Sequence, residues 1–504
     1  MYIVKEFYKK APQLLEYLKK YPESFWIERG RKQTLELFKK AAVRVPAYKD
    51  FLKKNKIDPE KIKSFSEFED VPTMDKENYL RNYKTEDLCW DGNFGGKSWT
   101  VSATSGSTGE PFYFPRTELQ NLQYALTAEL YLLENFQIDK KSTLYINCFG
   151  MGVWIGGVFT LQALDYIRRS GRYKLSIITP GTSKSDAIKA VKKFGKKFDQ
   201  VIIGGYPPLV KDLIDEGLEQ NIDWKGIDLG FIFSAEGFPE DFRDYIIQNT
   251  GIKDVFRASL NHYGTVDLGT MSHETPVCVL IRKMARENKD IYNKIFYRSD
   301  KVPTLTQYIP EMFFFEKINN TLACSAFSGL PLVRYDLKDH GGIITLKEIE
   351  NNFRDLGVNL FKESKKNRIQ DSLWKLPFVY VYEREDFTVT IYGLNVYPET
   401  IRSALQAKSL ENYVSGKFTM VTKFDNKQNQ FLEINVELKG GVAKSVDLNN
   451  KIGESVLHKL LQENSEYSKL YSDLGRKAVP RIVLYEYEDP KYFKPQGKQQ
   501  WVKK

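Results

Sequence analysis

Apolar residues in the first hundred positions recur at helical spacing. Leu35, Phe38, Ala42 and Val45 would share one face of a helix, and Pro46 ends that pattern. From about residue 175, short apolar runs typical of strands alternate with amphipathic stretches typical of helices. The alternation predicts strands at 175–178, 200–203, 229–233 and 254–258, and helices at 186–197, 208–216 and 239–249. It indicates right-handed βαβ units and a largely parallel sheet.

The pattern changes in the second half of the chain. Beyond about residue 300 it becomes richer in strands, and after Asp386 it predicts a smaller unit. That unit has an extended piece at 388–392, a helix from Glu399, two strands split by a turn at 425–429, a helix at 446–461 and a strand at 481–487. Because 504 residues exceed the usual size of one core, we expect two or three domains. We predict an α/β fold, with mostly parallel sheets flanked by helices in residues 1–385 and a small α+β domain in residues 386–504.

One stretch has the length and the flanks of a membrane span. Residues 143–164 contain no charged residue, and lysines and arginines lie on both sides. Asn147 and the glycines at 150, 152, 156 and 157 interrupt the apolar run. A buried strand, turn and helix of an α/β core therefore fits better than a membrane helix.

Composition narrows the possible partners. The 75 Lys and Arg residues exceed the 65 Asp and Glu residues, but they are interspersed with the acids. This favours a solvated lysine-rich surface over nucleic-acid binding, which needs a clustered basic patch. The four cysteines lie far apart and Met1–Lys10 lacks the pattern of a signal peptide. We expect a cytoplasmic protein without a zinc site or a disulfide framework, and its oligomeric state stays open.

The sequence around residues 104–111 is suited to binding an anion. Gly106 and Gly109 can take a positive φ, and Ser105, Ser107 and Thr108 carry hydroxyls that can donate to phosphate oxygens. A polar surface turn would have the same composition. Further loops follow the predicted parallel strands, at 204–207, 234–237 and 261–267. Since ligands of such sheets bind at the carboxyl ends of strands, these loops could converge on one ligand.

Taken together, these segments resemble the phenylacetate–CoA ligase-like branch of the adenylate-forming (acyl-CoA synthetase) superfamily. The matching segments follow the family order along nearly the whole chain. They are 42–48 for the opening helix, 105–109 for the Ser-Gly-Thr-Thr-Gly loop, 147–152 with 156–157 for the glycine-rich segment, 263–267 for Tyr-Gly-x-Thr/Ser-Glu, 334–339 for Arg-Tyr-Arg-Thr-Gly-Asp, 383–386 with 393–398 for the hinge, and 495–498 for the catalytic lysine.

The sequence departs from these motifs at several positions, of which four bear on the adenylation site. Asp267 replaces the usual glutamate, Leu337 and Lys338 replace Thr and Gly, and Glu383 replaces the Gly before the hinge arginine. The shorter side chain of Asp267 would bring a metal closer or bind it through water. The departures leave open a specialised or weakened adenylation site.

The resemblance implies roles for individual residues. It implies that Lys498 and Thr108 are catalytic, that Asp267 ligates Mg²⁺ and that Asp386 is the hinge of a mobile lid. The residues implied to bind ATP are Ser105, Gly106, Ser107, Thr108, Gly109, Ser234, Ala235, Glu236, Tyr263, Gly264, Thr265, Asp339 and Arg384. Several have a structural alternative, such as a helix cap for Asp267 or a flexible basic tail for Lys498.

The implied reaction is that of an acid–thiol ligase. The substrate carboxylate attacks the α-phosphorus of ATP and gives an acyl-adenylate and pyrophosphate. A thiol then attacks the acyl carbonyl and releases AMP. Coenzyme A is the default thiol by resemblance. A carrier protein or another non-CoA acceptor is an alternative, and so is a catalytically degenerate nucleotide-binding module. The identity of the acid does not follow from the sequence.

Overall fold

The structure is a computed structural model that describes residues 2–104, 111–296, 302–384, 389–493 and residue 502. The first hundred residues are mostly helical. They form α1 (Tyr2–Phe7), α2 (Ala11–Lys20), α3 (Glu23–Arg44), α4 (Pro46–Lys54), α5 (Phe65–Phe68) and α6 (Thr85–Leu88), followed by a hairpin of β1 (Thr100–Ala103) and β2 (Tyr113–Arg116). Pro46 lies at the first position of α4, where its missing N–H costs nothing.

The middle of the chain alternates strands with helices. It contains α7 (Glu118–Phe136), β3 (Thr143–Asn147), α8 (Ile155–Arg169), β4 (Leu175–Ile178), α9 (Lys184–Phe194), β5 (Gln200–Gly205), α10 (Pro207–Glu219), β6 (Leu229–Phe233), α11 (Glu240–Thr250), β7 (Ser259–Thr265), β8 (Gly269–His273), α12 (Pro276–Glu287) and α13 (Lys289–Ile295). The uncharged stretch 143–164 is therefore a buried strand and the start of a helix. Within the described residues, no helix is long and apolar enough to cross a membrane.

The last two hundred residues are richer in strands. They form β9 (Thr304–Gln307), β10 (Phe313–Ile318), β11 (Thr321–Ala326), β12 (Leu332–Ile344), α14 (Leu346–Asp355), α15 (Leu360–Lys366), β13 (Phe378–Arg384), β14 (Val389–Ile391), β15 (Leu394–Val396), α16 (Pro398–Leu405), β16 (Val414–Phe424), β17 (Gln430–Leu438), α17 (Val446–Glu463), α18 (Ser465–Leu474) and β18 (Arg481–Tyr485).

Eleven of the strands in the described ranges form one mixed sheet, in the order β10-β11-β12-β13-β9-β8-β7-β6-β5-β3-β4. The strands from β4 to β7 are parallel, as the alternating pattern predicted, and helices connect them. From β7 to β10 the neighbours are antiparallel. The predicted α/β class is confirmed. In the antiparallel half, hairpins connect β7 to β8, β10 to β11 and β11 to β12.

One predicted strand is wrong. Residues 254–258 form a turn in which the Asp254 carboxylate accepts the backbone N–H groups of Phe256 and Arg257, at 3.1 and 3.0 Å. Such a side-chain contact holds the backbone in a turn and competes with strand pairing. The strand begins later, at Ser259, so most of the predicted 261–267 loop belongs to β7.

The chain after residue 388 builds two further sheets. β14 pairs with β15, and β16, β17 and β18 form a three-stranded sheet covered by α17 and α18. This unit contacts the large sheet's helices through polar groups. Lys211 donates to Asn429 Oδ1 at 2.7 Å, and Asp212 accepts from Lys477 at 2.7 Å and from the Tyr392 hydroxyl at 3.2 Å.

Candidate functional site

The end of β7 and the middle of β12 bring three predicted residues together. The Tyr263 hydroxyl donates to Asp339 Oδ2 at 2.6 Å, and both side chains are buried. Asp339 lies opposite Arg384 in the antiparallel register of β12 and β13. Tyr263 and Asp339, which are 76 positions apart in the chain, therefore meet through the folding of one sheet.

Asp267 lies in the turn between β7 and β8, close to that place. Its carboxylate accepts from the Tyr335 hydroxyl at 2.6 Å, and Lys76 Nζ is 3.3 Å from the other oxygen. The turn is tight, because Thr265 Oγ1 accepts the backbone N–H of Leu268 at 3.2 Å and a Cβ on Gly264 would lie 2.6 Å from the Gly269 carbonyl oxygen. The Asp267 carboxylate is therefore buried and paired with a cation.

The fit of Asp267 to Mg²⁺ can be judged from its neighbours. Within the described ranges, no group of three or more His, Cys, Asp or Glu side chains could hold a metal ion. Mg²⁺ commonly binds through one or two carboxylates and the phosphates of its substrate. A single buried carboxylate beside a lysine fits that kind of site, and it does not fit a metal site made by the protein alone.

Lys76 was not among the predicted site residues, and the structure shows why it reaches Asp267. Met74 pairs with β12, donating to the Arg334 carbonyl at 3.2 Å and accepting from Asp336 N–H at 2.8 Å. Lys338 then joins Asp336 and Asp75 by ion pairs of 2.8 and 3.0 Å. The turn at Pro72 was visible in the sequence, but its pairing with β12 was not.

The same contacts account for two departures from the resembled motif. Lys338 has a φ of 58°, a left-handed conformation that glycine adopts without strain and that the motif's glycine would supply. Its ammonium group instead binds Asp75, next to Lys76, and Asp336 of its own strand. Leu337 is buried in the apolar core beneath. Leu337 therefore adds apolar packing and Lys338 adds two ion pairs beside the candidate site.

The loop after β6 contains Ser234, Ala235 and Glu236. Ala235 has a φ of 73°, and the Glu236 carbonyl accepts from Asn261 Nδ2 at 2.9 Å. The Glu236 carboxylate points to the C-terminal unit, where Gly393 N–H and Gln430 Nε2 donate to it, the latter at 2.6 Å. Burial raises the pKa of Glu236 to about 7, against the opposing effect of these donors.

A buried cluster of charged side chains packs against the 234–238 loop. We define the ionic cluster as Arg243, Arg282, Glu240 and Glu274, all fully buried. Arg282 also donates to the Phe238 carbonyl at 2.5 Å, and Glu274 accepts the backbone N–H of Asn261 at 2.8 Å. The cluster therefore holds both the 234–238 loop and β7.

Several predicted residues lie outside the described residues: Ser105, Gly106, Ser107, Thr108, Gly109, Asp386 and Lys498. Thr104 and Phe112, which lie on either side of residues 105–110, are hydrogen-bonded to each other. Thr104 N–H donates to the Phe112 carbonyl and Phe112 N–H to Thr104 Oγ1, each at 3.0 Å. The hairpin of β1 and β2 thus carries the 105–110 segment.

Two histidines near the site do not supply acid–base chemistry. His262 and His273 are buried, and burial lowers the pKa of each to about 3. They are neutral at physiological pH and pack against Tyr131. These two imidazoles therefore serve as packing groups beside the site.

Comparisons with known proteins were made for the whole chain. No protein-family model matches it. A search of curated proteins finds no match either. Solved structures of 2-hydroxyisobutyryl-CoA ligase are similar in fold. With 2-HIB-AMP and CoA in the thioesterification state, the identity is 15%, the TM-score is 0.66, and the match covers 96% of this chain and 91% of that one.

Two other states of that ligase match less closely. An open conformation with 2-HIB-AMP and CoA has 14% identity and a TM-score of 0.54, covering 97% of this chain and 93% of that one. The postadenylation state with 2-HIB-AMP has 14% identity and a TM-score of 0.53, covering 97% and 90%. These chains match over nearly their full lengths. The protein described above therefore has the fold of the adenylate-forming ligases.

Proposed function

We propose that this protein is an AMP-forming ligase that activates a carboxylic acid with ATP and transfers the acyl group to a thiol, coenzyme A. One observation carries the proposal. Two carboxylates lie at the carboxyl end of β7: Asp339, which is bonded to Tyr263, and Asp267, which is bonded to Tyr335 and Lys76. Ligands of α/β sheets bind at that end. The fold of the adenylate-forming ligases and the order of the resembled motifs support the same assignment.

The first half-reaction brings together two anions, the acid carboxylate and the triphosphate. Catalysis therefore depends on neutralising charge and on alignment. We assign Asp339 to accept the ribose hydroxyls, with the Tyr263 hydroxyl orienting its carboxylate and the Tyr263 ring against the adenine. Ser234, Ala235 and Glu236 would border the adenine, with Gly264 and Thr265 in the turn beside it. The hydroxyls of Ser105, Ser107 and Thr108 would bind the phosphates, with the backbone of Gly106 and Gly109.

Mg²⁺, when bound, supplies neutralisation of the triphosphate charge. Asp267 would hold it, and the Tyr335 hydroxyl fixes the orientation of that carboxylate. Lys76 adds a positive charge on the same side of the site. The pairing of Met74 with β12 holds the backbone that carries this charge, so the lysine is positioned before any substrate binds.

The second half-reaction needs the thiol to reach the adenylate. We propose that residues 1–385 and 386–504 are separate domains, that Asp386 is the hinge, and that Lys498 serves adenylation when the small domain is rotated. Arg384, opposite Asp339, would assist at the ribose or the phosphates. In the structure Gly393 packs on Tyr206 and donates to Glu236. The higher TM-score against the thioesterification state supports a small domain placed for acyl transfer.

The test is ATP–pyrophosphate exchange with a panel of carboxylic acids, followed by thioester formation with coenzyme A. Exchange with one acid class, and formation of its CoA thioester, is the expected result. Exchange without a CoA thioester would point to a carrier protein or another acceptor. Absence of exchange with every acid would leave only the nucleotide-binding module.

Two variants test the residues assigned to the phosphates. Lys498→Ala should lower the exchange rate by roughly 10²-fold or more, because it removes one donor to the transition state. Lys491→Ala, an exposed lysine nearby, is the matched control and should keep the rate. Thr108→Val should weaken the use of Mg·ATP. Unchanged exchange in Lys498→Ala, or intact ATP handling in Thr108→Val, would remove that residue from the mechanism.

A further inference from the structure

Arg116, at the end of β2, is a buried cation without a carboxylate partner in the described part of the chain. Its relative exposure is 2%, and the only side-chain hydrogen bond that it makes there runs from Nη1 to Ser102 Oγ at 2.7 Å. Nε and Nη2 have no hydrogen-bond partner among the described residues. The buried Arg243 and Arg282, in contrast, share two glutamates.

The free atoms of Arg116 form one edge of the guanidinium. Nε–H and Nη2–H are parallel donors whose spacing matches the two oxygens of a carboxylate or a phosphate. This protein uses that edge elsewhere. Arg44 donates from Nε and Nη2 to the two oxygens of Asp91 at 2.9 and 2.7 Å, and Arg243 donates from the same atoms to Glu240. In Arg116 neither atom of this edge bonds to a residue in the described ranges.

An unpaired buried charge is costly to the folded protein. Burial alone lowers the pKa of Arg116 to about 10, which leaves the guanidinium charged at neutral pH. Burying a charge without a partner is unfavourable, and such groups normally carry a counter-ion or a ligand. Ser102 supplies one neutral acceptor, and the Phe159 ring lies 4.7 Å from the guanidinium carbon. Neither neutralises the charge, so an anionic occupant is expected.

Phe159 links Arg116 to the candidate site. The Phe159 ring, which covers the guanidinium, also lies against Gly269, where a Cβ would be 2.9 Å from the ring. Gly269 pairs with Thr265 in the hairpin that carries Asp267. Phe159 also stacks on Tyr124 at 4.4 Å. One side chain of α8 therefore separates the guanidinium from the β7–β8 hairpin.

We infer that the free edge of Arg116 binds an oxyanion of the acid substrate, one that is distinct from the carboxylate that is activated. The substrate class is then a dicarboxylic acid, or an acid with another anionic group at its far end. This inference rests on the proposed function.

A phosphate of the nucleotide also presents two oxygens that could accept from the free edge of Arg116. However, Arg116 is the last residue of β2, about 10 Å along the strand from Tyr113, where β2 begins after the 105–110 segment, so the acid is the favoured source.

The experiment compares acids that differ only in a second carboxylate. Glutarate, adipate and pimelate are tested against pentanoate, hexanoate and heptanoate by pyrophosphate exchange. The wild-type protein should prefer one of the diacids over its matching monoacid by about 10²-fold in kcat/KM. The monoacid would leave the buried donors of Arg116 without a partner, which is unfavourable. Arg116→Met should abolish that preference. Arg116→Lys keeps the positive charge but loses the two parallel N–H donors, and should retain only part of the preference for diacids. The control is Arg168→Met, an exposed arginine at the far end of α8, which should keep the preference.

A second measurement separates this inference from the proposed function. Thermal unfolding with and without each acid needs no catalysis. A diacid that raises the Tm of the wild-type protein but not of Arg116→Met supports the site even if no acid gives exchange. No Tm shift together with no preference for diacids overturns it. Weaker Mg·ATP binding by Arg116→Met, equal for every acid, assigns the anion to the nucleotide and also overturns it. A lower Tm of unliganded Arg116→Met with unchanged acid preference marks a structural arginine and overturns it.

Discussion

Glu274→Gln should destabilise the protein by about 3–5 kcal/mol, because it breaks a buried ion-pair network from one side. In the ionic cluster two guanidiniums face two carboxylates, so the buried charges balance. Glu274 accepts from Arg243 at 2.9 and 3.0 Å, from Arg282 at 2.6 Å and from Asn261 N–H at 2.8 Å. The amide keeps the shape of the side chain but leaves one uncompensated positive charge.

The size of the effect follows from burial. A pair at the surface contributes about 0–1 kcal/mol, because water screens both charges and can solvate either one when its partner is lost. The side chains of the ionic cluster have no exposed surface. Water therefore cannot replace the lost carboxylate, and the amide donates where an acceptor is needed. The expected loss is several times that of an exposed pair.

The assay is urea unfolding followed by fluorescence, with the midpoint and the slope fitted for each variant. Asp165→Asn, which breaks the partly exposed pair of Asp165 with Arg168, is the control and should cost less than about 1 kcal/mol. The double variant Glu274→Met with Arg282→Met removes one charge of each sign and should recover part of the loss. A cost below about 1 kcal/mol for Glu274→Gln would refute the reasoning. So would a double variant that is less stable than the sum of its single changes.

Two further predictions concern the surroundings of the site. Lys338→Gly should be more stable than Lys338→Ala by about 1 kcal/mol in urea unfolding, because residue 338 has a φ of 58° and both variants lose the same ion pairs; equal stabilities would contradict this. For Glu236, the folded-state pKa of about 7 exceeds the ordinary value of 4.5, so folding favours the neutral carboxyl. Its stabilising contribution should be complete below about pH 4.5 and decline until the pH passes about 7. Glu236→Gln should remove this part of the pH dependence of Tm, and an unchanged profile would count against it.

Much of the secondary structure could be predicted because it depends on local patterns. The strand at 229–233 and the turn at 425–429 follow from apolar runs and turn residues. The strand predicted at 254–258 failed because Asp254 caps a turn there, and its carboxylate competes with the backbone for hydrogen bonds. The switch from a parallel to an antiparallel sheet after β7 was also missed. Strand direction depends on how the segments pair, which local hydrophobicity does not encode.

The sequence by itself determined the types of the elements, the order of the motifs and the residue types available for binding phosphates. Tertiary structure alone decided which of them meet. Tyr263 reaches Asp339 because of the register of distant strands, and Lys76 reaches Asp267 because the segment at Met74 pairs with β12. Arg116 is distinctive only once it is known to be buried without a carboxylate among the described residues. Burial and pairing are sums over contacts between segments far apart in the chain, so no single stretch of sequence contains them.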